Sequence, residues 1–510
     1  MKLLITHHHL GPGGVTRVVA NHLLALDATA EEPQRVGLIY DGDDSGLPDL
    51  SGLSRTDVVR LVIPEVGYRD STDISGAADL AGQIEQTAAK HGFADCVLHV
   101  HNHSLGKSPL FTAAINELAT GELRRASGSP IQMRPLLLQC HDFAEDFRPA
   151  NYARLVAAFG DRIGWDVYPS PERTKCVYAV LNWRDLTAIR EANVADVLHS
   201  VTLPNPVSEP PPSVDRGAAR KCLADRFGVP ADRPYWLYPV RGIRRKNVGE
   251  LCLIAAAGRG RFTAAVTLQP KNPAERAYFD RWRQTADRLS LPCLFGVGEE
   301  GGLSFAENMA AADRIVTTSV AEGFGMVFLE SWLSGKSLVG RNLPEITGDF
   351  TGVDLSAMYE RLNVPVDWFG TDDYIERLHA AAGGIAAAYG RPPVSRAAAE
   401  ASYERRLRGG CLDFGDLDEE LQTRVIERVR QSPDAAERVL AQVEDVSADR
   451  IAANAAAVRD GFSLEATGRQ LRSLYAAANG WRDVVGQRPE PVTKLLDQFL
   501  HIDRIRLIRS

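Results

Sequence analysis

The chain has 510 residues, of which 45% are apolar and 24% are charged, and its formal net charge is −8. Because this length exceeds what one hydrophobic core usually organises, we expect two domains. The mild acidity argues against a general nucleic-acid binder, which would need a basic face.

Seven cysteines are scattered along the chain and none forms a C-x-x-C pair, which favours reduced, buried thiols over disulfides or a zinc site. No segment reaches the roughly 18 uninterrupted apolar residues of a membrane span. The amino-terminal MKLLIT is too short for the core of a signal peptide and leads into polar histidines. We therefore expect a cytoplasmic protein without a membrane span.

Short apolar runs alternate with helical patterns in the first two hundred residues. The runs that predict strands are KLLIT, RVGLIY, DVVRLVI, CVLHVH, PLLLQCHD and CVYAVLN. GVTRVVANHLLAL and ADLAGQIEQTAAKHG predict helices between them. Nearly continuous apolar strands separated by helices indicate a parallel sheet that is covered on both faces. We assign this first domain to residues 1–207.

A proline-rich run, LPNPVSEPPPSV, interrupts the pattern and predicts an interdomain linker. The alternation then resumes with YWLYPV, AAVTLQ, LPCLFGVG, DRIVTTS and SLVGRN, which predict a second parallel sheet in residues 208–350. Beyond that sheet, alanine-rich helical text dominates. We assign a helical elaboration to residues 351–455 and closing helices to residues 456–510. The stretch GGCLDFGDLDEELQTRVIERV within the elaboration suggests no role by itself.

Polar residues collect where the strands of the first domain end. HHHLGPGG, with Gly13 and Gly14, follows the first strand, and His99, His101 and His103 lie in LHVHNHS. His141 lies in QCHDF. Imidazoles suit zinc, copper and iron, so a metal site is one hypothesis. The other is a polar pocket for a hydroxyl-rich ligand, which we favour because H-E-x-x-H or a comparable ligand spacing is absent.

Two carboxylates flank a glycine-opened helix start in VAEGFGMVFLESWL. Glu322 precedes the loop, a helix is predicted to begin near Gly325 or Met326, and Glu330 lies about one turn into it. Backbone amides at a helix start favour anions, while carboxylates accept from hydroxyls. A ligand with hydroxyls at each end and negative charge between them, such as a nucleotide sugar, suits this arrangement.

Cations for a diphosphate are available in YPVRGIRRKNVGEL, at the end of the second domain's first strand. Arg241 opens the turn, Lys246 follows five residues later, and Arg244 and Arg245 lie between them. A guanidinium offers a fork for phosphate oxygens, and an ammonium supplies a compact charge. The position at a strand end favours phosphate binding over an ordinary solvated turn.

Together these motifs resemble the retaining glycosyltransferases of family 4. The resemblance is carried by E-x7-E in EGFGMVFLE, R-x-x-x-x-K in RGIRRK, the GPGGV loop, the HD of QCHDF, LPNPV and the late FSLEATGRQLRSLY. It covers most of residues 1–350 and about 460–476. It implies an α/β protein of GT-B architecture, in which two Rossmann-like doubly wound domains face each other across a cleft. Arg341 and Asn342 depart from it, because relatives carry small residues there.

The resemblance also implies the site residues. The catalytic residues that it implies are Glu322, Arg241, Lys246 and His141. The donor-binding residues are Gly13, Gly14, Gly296, Val297, Phe324, Gly325 and Glu330. In this scheme Glu322 lies beside the donor sugar's hydroxyls, Glu330 binds the ribose, and Arg241 and Lys246 neutralise the diphosphate. We place His101, His103, Asp142 and Arg148 near the acceptor.

Family members retain anomeric configuration, with the departing phosphate oxygen taking the acceptor's proton. The resemblance therefore implies no carboxylate base, no metal and no permanently bound cofactor. The co-substrate would be a UDP-, GDP- or ADP-sugar, and the hydroxyl acceptor a small soluble molecule or a saccharide. We expect neither nucleic acid nor a membrane as partner, and self-association stays open.

Other function classes remain as alternatives. A nucleotide-sugar epimerase or a phosphorylase would share the fold, and a non-catalytic nucleotide-sugar-binding protein would share the site. A dinucleotide-dependent oxidoreductase is disfavoured, because GPGG is not G-x-G-x-x-G and no acidic ribose ligand ends the next strand.

Overall fold

A computed structural model describes residues 1–94, 96–120, 134–170, 174–210, 214–478, 481 and 494–509. The chain forms two compact units. The first comprises Met1–Pro206 and Gly461–His501, and the second comprises Val207–Asp460 and Ile502–Ser510. The first passage between units falls inside the proline-rich run, of which residues 211–213 lie outside the described residues.

The first unit contains a seven-stranded sheet and the helices that follow its strands. Its strands are β1 (Lys2–Thr6), β2 (Gln34–Tyr40), β3 (Thr56–Val62), β4 (Val97–His101), β5 (Leu136–Cys140), β6 (Cys176–Val180) and β7 (Ser200–Thr202). Its amino-terminal helices are α1 (Gly14–Ala28), α2 (Ala77–Lys90), α3 (Pro109–Thr120), α4 (Pro149–Phe159), α5 (Ile163–Asp166) and α6 (Trp183–Glu191). The six predicted strands are all present, and β7 is a further short strand before the linker.

The second unit has a five-stranded sheet and a separate two-stranded one. Its strands are β8 (Tyr235–Arg241), β9 (Thr263–Leu268), β10 (Cys293–Phe295), β11 (Arg314–Thr317), β12 (Ser337–Gly340), β13 (Asn363–Pro365) and β14 (Cys411–Asp413). Its first helices are α7 (Arg216–Phe227), α8 (Val248–Gly258), α9 (Pro273–Arg288), α10 (Phe305–Ala311), α11 (Val327–Leu333) and α12 (Pro344–Thr347).

The remaining helices lie beyond the second large sheet. They are α13 (Thr371–Ala388), α14 (Arg396–Arg406), α15 (Glu419–Gln431), α16 (Pro433–Leu440), α17 (Ala448–Phe462), α18 (Leu464–Ala477) and α19 (Lys494–Leu500). Within the described part of the chain, no helix combines the length and apolar content that crossing a bilayer requires. All seven cysteines are free thiols.

Both large sheets are wholly parallel and share one strand order. The first runs β3-β2-β1-β4-β5-β6-β7 and the second runs β10-β9-β8-β11-β12. In each sheet, the second and third strands lie on one side of the first strand, and the later strands lie on its other side. This reversal defines a doubly wound sheet and opens a gap at the carboxyl ends of two neighbouring strands. The predicted α/β class with two doubly wound sheets is confirmed.

The stretch for which the sequence suggested no role covers the buried helix α8. Every residue of α8 is buried, and α15 and α16 pack against it. A Cβ added at Gly249 would lie 2.2 Å from the side-chain oxygen of Gln422 on α15. This close approach explains both the apolar sequence of α8 and the glycine in its first turn. The segment after the large sheet therefore belongs to the core of the second unit.

Arg341 is a buried structural cation. It donates to Glu250 at 2.5 Å and to Asp413 at 2.7 Å, and its side chain is 1% exposed. Burial would raise the pKa of Asp413, but Arg341 and Arg506 lower it to about 2. Buried charges are tolerated when they are paired in this way, so these two ion pairs account for the arginine at position 341.

Helix α18 closes one face of the first sheet by packing against α1. A Cβ at Gly468 would lie 2.2 Å from the carbonyl oxygen of Ala25. Leu471 and Tyr475 of α18 join the same apolar cluster as Leu23 of α1. The backbones of these two helices thus approach more closely than a side chain at position 468 allows.

We expect Gly468→Ala to lower the free energy of unfolding by about 1–3 kcal/mol, because overpacking must separate the helices. Denaturant unfolding measures the change. Gly461→Ala is the matched control, since a Cβ there meets no atom within 4 Å. That variant should be neutral or more stable, by up to about 1 kcal/mol. Equal destabilisation of both variants would contradict the close approach of α18 to α1.

Candidate functional site

The strongest candidate site lies at the reversal of strand order in the second unit. Strand β8 lies between β9 and β11, so the loops that follow β8 and β11 leave neighbouring strand ends in different directions. Lys246 lies in a turn after β8, and Glu322 lies in the loop after β11. These are the positions at which doubly wound sheets bind ligands.

Glu322 connects the two loops through its carboxylate. One oxygen accepts from the Lys246 ammonium and from the Ser319 hydroxyl, the latter at 2.6 Å. The other accepts from the Arg245 guanidinium at 2.6 Å. Tyr238 lies on β8 and its hydroxyl is 2.6 Å from that of Ser319. Glu322 and Lys246, predicted from segments far apart in the sequence, are therefore in direct contact.

The electrostatics keep Glu322 ionised although its side chain is only 6% exposed. Burial alone would raise its pKa, but Lys246 and Arg245 together with the hydrogen bonds lower it to about 2. Burial lowers the pKa of Lys246 despite the neighbouring carboxylate. A carboxylate and two cations are thus prearranged. Glu322 and Lys246 are largely desolvated, which strengthens their interaction, whereas the Arg245 side chain is 39% exposed.

Arg241 and Glu330 are exposed, whereas the side chains of Glu322 and Lys246 are largely buried. Arg241 is exposed at the end of β8, and its guanidinium donates to the carbonyl oxygen of Gln269 at 3.4 Å. Glu330 is exposed one turn inside α11. Arg245 is the residue that places a guanidinium on Glu322. The sequence analysis noted Arg245 but gave it no role, because spacing alone does not distinguish it from Arg241.

Two of the predicted donor-binding glycines adopt backbone conformations that favour glycine. Gly296 has a φ of 76° just after β10, and Gly325 has a φ of 83° before α11. The neighbouring Val297 and Phe324 are buried, with the Phe324 ring 5.4 Å from that of Phe350. In both loops, a glycine with positive φ is therefore adjacent to a buried residue that anchors the backbone.

The amino-terminal histidines build the loop in which they lie. His8 Nδ1 is 2.8 Å from the carbonyl oxygen of Val66, and His9 Nδ1 accepts from the amide of Gly11 at 3.1 Å. Gly13 and Gly14 are exposed, and a Cβ at Gly14 would meet no atom within 4 Å. Neither packing nor a positive φ requires these two glycines, so their bare backbone is open to a ligand.

The predicted histidines of β4 separate into two environments. His99 and His101 stack with ring centroids 4.3 Å apart on the face that carries Val97. His103 lies beyond the strand, fully buried, with its ring 6.4 Å from that of Tyr168. Residues two apart share a face only while the strand continues, and β4 ends at His101.

His141 lies next to His101. His101 Nδ1 and His141 Nε2 are 2.8 Å apart, so one of the two nitrogens donates to the other. Burial lowers the pKa of His141 to about 3, which leaves its ring neutral at pH 7. His101 is fully buried and His141 is 7% exposed. His101 therefore fixes the orientation of the His141 ring.

Asp142 and Arg148 form an ion pair of 2.5 Å, in which both side chains are about one-third exposed. Arg148 also donates to the carbonyl oxygens of Phe143 and Asp146. This pair follows β5 at the same edge of the sheet as the histidines. The structure thus collects the predicted acceptor residues at one sheet edge, although His101 and His103 are covered.

Glu145 is a buried acid that the sequence analysis missed. The Tyr168 hydroxyl donates to its carboxylate at 2.9 Å. Burial raises the pKa of the Glu145 carboxyl to about 7, against the effect of this hydrogen bond. No pattern in the sequence identifies it, because its environment is created by Tyr168 from a later segment.

No protein-family model matches the chain. A similar protein is the mannosylglucosyl-3-phosphoglycerate synthase of Petrotoga mobilis (strain DSM 10674 / SJ95), which is 26% identical over 531 aligned positions. The alignment covers 100% of this chain and 99% of that protein. The likeness therefore extends through both units and the helical segments.

Solved structures of low sequence identity share the fold. Sucrose-phosphate synthase of Thermosynechococcus elongatus aligns with a TM-score of 0.53 and 16% identity over 94% of this chain and 100% of its own. A glycosyltransferase of Rickettsia africae ESF-5 aligns with a TM-score of 0.52 and 14% identity over 94% and 98%. The chain has the GT-B fold. This confirms the predicted fold class.

We expect Glu145→Gln to remove a pH dependence of stability. Folding raises the pKa of the Glu145 carboxyl from 4.5 to about 7. The folded protein therefore loses stability relative to the unfolded chain as the pH rises through this interval. The variant should therefore gain about 3 kcal/mol relative to the unmodified protein between pH 4.5 and pH 8.5. Denaturant unfolding at both pH values measures it. A difference that does not change with pH would contradict the buried, neutral state of Glu145.

Proposed function

We propose that this protein is a retaining glycosyltransferase that moves a hexosyl group from a nucleoside diphosphate sugar to a hydroxyl acceptor. The observation that carries the proposal is the contact of Glu322 with Lys246 and Arg245 at the strand reversal of the second unit. The full-length likeness to a glycoside-forming synthase supports it. In this proposal the donor binds in the second unit and the acceptor in the first.

Positive charge at the site suits a leaving diphosphate. Cleavage of the bond between the anomeric carbon and the phosphate oxygen makes the sugar cationic and the diphosphate more negative. Lys246 offers a compact charge and Arg245 a planar fork, so both stabilise negative charge as it develops. Because Glu322 holds both cations before the donor arrives, little reorganisation is needed. This role for Arg245 supplements that of Arg241, which in this proposal also neutralises the diphosphate.

We propose that the transfer retains the anomeric configuration, as the resemblance to family 4 implies. In this mechanism the departing phosphate oxygen takes the proton of the acceptor hydroxyl, and the acceptor oxygen bonds to the anomeric carbon on the face of the sugar from which the diphosphate departs. Two protein cations already neutralise the diphosphate, and we propose that transfer needs no metal ion. Glu322 would also accept from hydroxyls of the donor sugar, and Glu330 from the ribose. His141, neutral at pH 7, would contact the sugar from the first unit.

We propose a phosphorylated glycoside of glycerate as the acceptor. The relative from Petrotoga mobilis is named for a mannosylglucosyl-3-phosphoglycerate product, which carries phosphate and carboxylate charges. In the first unit Lys107 follows β4, and its ammonium lies 5.7 Å from the centre of the Tyr68 ring. The ring of His9 is 4.8 Å from the same tyrosine. These groups offer a cation and an aromatic face for an anionic saccharide.

The competing functions make different products. An epimerase would change the donor without an acceptor, and a phosphorylase would need inorganic phosphate. A binding protein would retain the donor unchanged. Incubation with nucleoside diphosphate sugars and a glucosyl phosphoglycerate, followed by mass spectrometry, separates these outcomes. We expect a product heavier by one hexose, with the free nucleoside diphosphate formed in equal amount.

Glu322→Gln and Lys246→Met should each lower kcat by about 10²–10³-fold, because each removes one prearranged charge from the transition state. Steady-state kinetics with the active donor measures the loss.

Asp313→Asn is the matched control. Asp313 lies at the opposite end of β11 and also bridges two cations, Arg216 and Arg220. We expect that variant to lose stability but to keep its turnover. Turnover unchanged in both site variants, or lost equally in the control, would overturn the assignment of the site.

Lys107→Met should raise the KM for a phosphorylated acceptor at least about tenfold while the KM for the donor stays unchanged, because one charge pair is lost. Initial rates at saturating donor measure it. Lys90→Met, an exposed lysine at the end of α2, is the control. If both variants keep the acceptor KM of the unmodified protein, Lys107 does not bind the acceptor.

A further inference from the structure

Three buried histidines meet between the first sheet and the helices that cover it. His22 lies on α1, and His99 and His101 lie on the face of β4 that α1 and α18 cover. All three side chains are inaccessible to solvent. One ligand atom from each can be chosen so that the three lie within 4.8 Å of one another.

The cluster contains nitrogens whose hydrogen-bonding capacity is unused. Among the described residues, neither nitrogen of His22 has a hydrogen-bond partner, nor has Nε2 of His101. An unpaired buried polar group costs about 1–3 kcal/mol, so nearly all such groups in folded proteins have partners. An apolar side chain would fill the position of His22 without this cost. The unused nitrogens of His22 and His101, which lie together beside His99, therefore point to a shared ligand.

The dimensions of the cluster match those of a metal site. The ring centroids are 5.6 Å apart for His22 and His99, 5.7 Å for His22 and His101, and 4.3 Å for His99 and His101. Imidazoles bound to one tetrahedral ion, with metal–nitrogen bonds of about 2.0–2.1 Å, have centroids about 5 Å apart. The ring of His99 stacks on those of His22 and His101 at interplanar angles of 23° and 25°. Metal binding therefore requires at least one of these rings to rotate until all three nitrogens point at one ion.

Groups around two of the histidines resemble the outer shell of a metal centre. His99 contacts the Tyr475 hydroxyl at 2.8 Å and the Gln139 side-chain oxygen at 2.9 Å. His101 is held by His141 at its other nitrogen. Ligating histidines usually have such a partner on the second nitrogen, which fixes the ring orientation. His99 would exchange one of its two contacts for the ion.

We propose that His22, His99 and His101 bind one divalent transition-metal ion, zinc or a chemically similar ion. A donor set of neutral imidazoles suits zinc, cobalt, nickel or copper, whereas magnesium and calcium need oxygen ligands. The ion would connect α1 to β4 within the first unit and stabilise the fold. The ion would take no part in the charge stabilisation proposed above, which uses the cations of the second unit, although its ligand His101 also contacts His141.

The experiment uses the full-length protein, freed of any polyhistidine tag and dialysed against a chelator. Zinc, cobalt and magnesium chlorides are the probes. We expect about one zinc ion per chain by elemental analysis and a rise in unfolding temperature with zinc, since a ligand bound only to the folded state stabilises it. Cobalt should give the visible absorption bands of a tetrahedral site. Magnesium should change neither property.

His22→Phe removes both unpaired nitrogens and keeps a flat ring, and it should weaken zinc binding at least about 100-fold. His103→Phe is the matched control. His103 is also fully buried, but it lies outside the cluster. That variant should keep zinc affinity and the cobalt spectrum.

Binding of less than about one-tenth of an equivalent of zinc by the unmodified protein would overturn the proposal, as would equal binding by His22→Phe. If His22→Phe does not fold, X-ray absorption of the cobalt form decides the question. Three imidazole ligands would support the site, and fewer would overturn it. None of these measurements depends on transferase activity, so they stand apart from the proposed function.

Discussion

The candidate site of the second unit depends on the ion pairs that the buried carboxylate of Glu322 forms with two cations. This carboxylate accepts from Lys246 and Arg245 of one loop while it belongs to another, so it holds two strand ends together. A buried charge without partners is strongly unfavourable, and removing one partner leaves the others exposed to that cost. The three groups therefore maintain one another's positions. They form a prearranged electrostatic surface rather than a set of flexible surface charges.

A second network of buried ion pairs stabilises the same unit. Arg341 pairs with Glu250 of α8 and with Asp413 of β14, so a large-sheet loop is joined to the helical segment. Arg506 near the carboxyl terminus pairs with Asp416 in the same region. The final turn, Leu507–Arg509, contacts the turn that carries Arg245 and Lys246. The long segment after the sheet thus contributes to the support of the candidate site.

The histidines of the first unit illustrate how one residue type serves different physical ends. His8 and His9 hold the glycine loop, His101 orients His141, and His22 completes a cluster inside the covered face of the sheet. Burial keeps His141 neutral, so it can offer hydrogen bonds without charge repulsion from its neighbours. Position relative to the end of β4 decides which of these environments a histidine enters.

The sequence by itself determined the two parallel sheets, the strand ends at which polar residues collect, and the choice of Glu322 and Lys246 as candidate site residues. Those features follow from local periodicity and from motifs within a few residues. Only the tertiary structure decided that Arg245 rather than Arg241 contacts Glu322 and that Arg341 forms buried ion pairs. It also decided that His22 lies against His99 and His101 and that Glu145 is buried beside Tyr168. The reason is physical: burial, partners and pKa values arise where strands and helices from distant segments meet. Strand order decides which segments come into contact, and it cannot be inferred from any single segment.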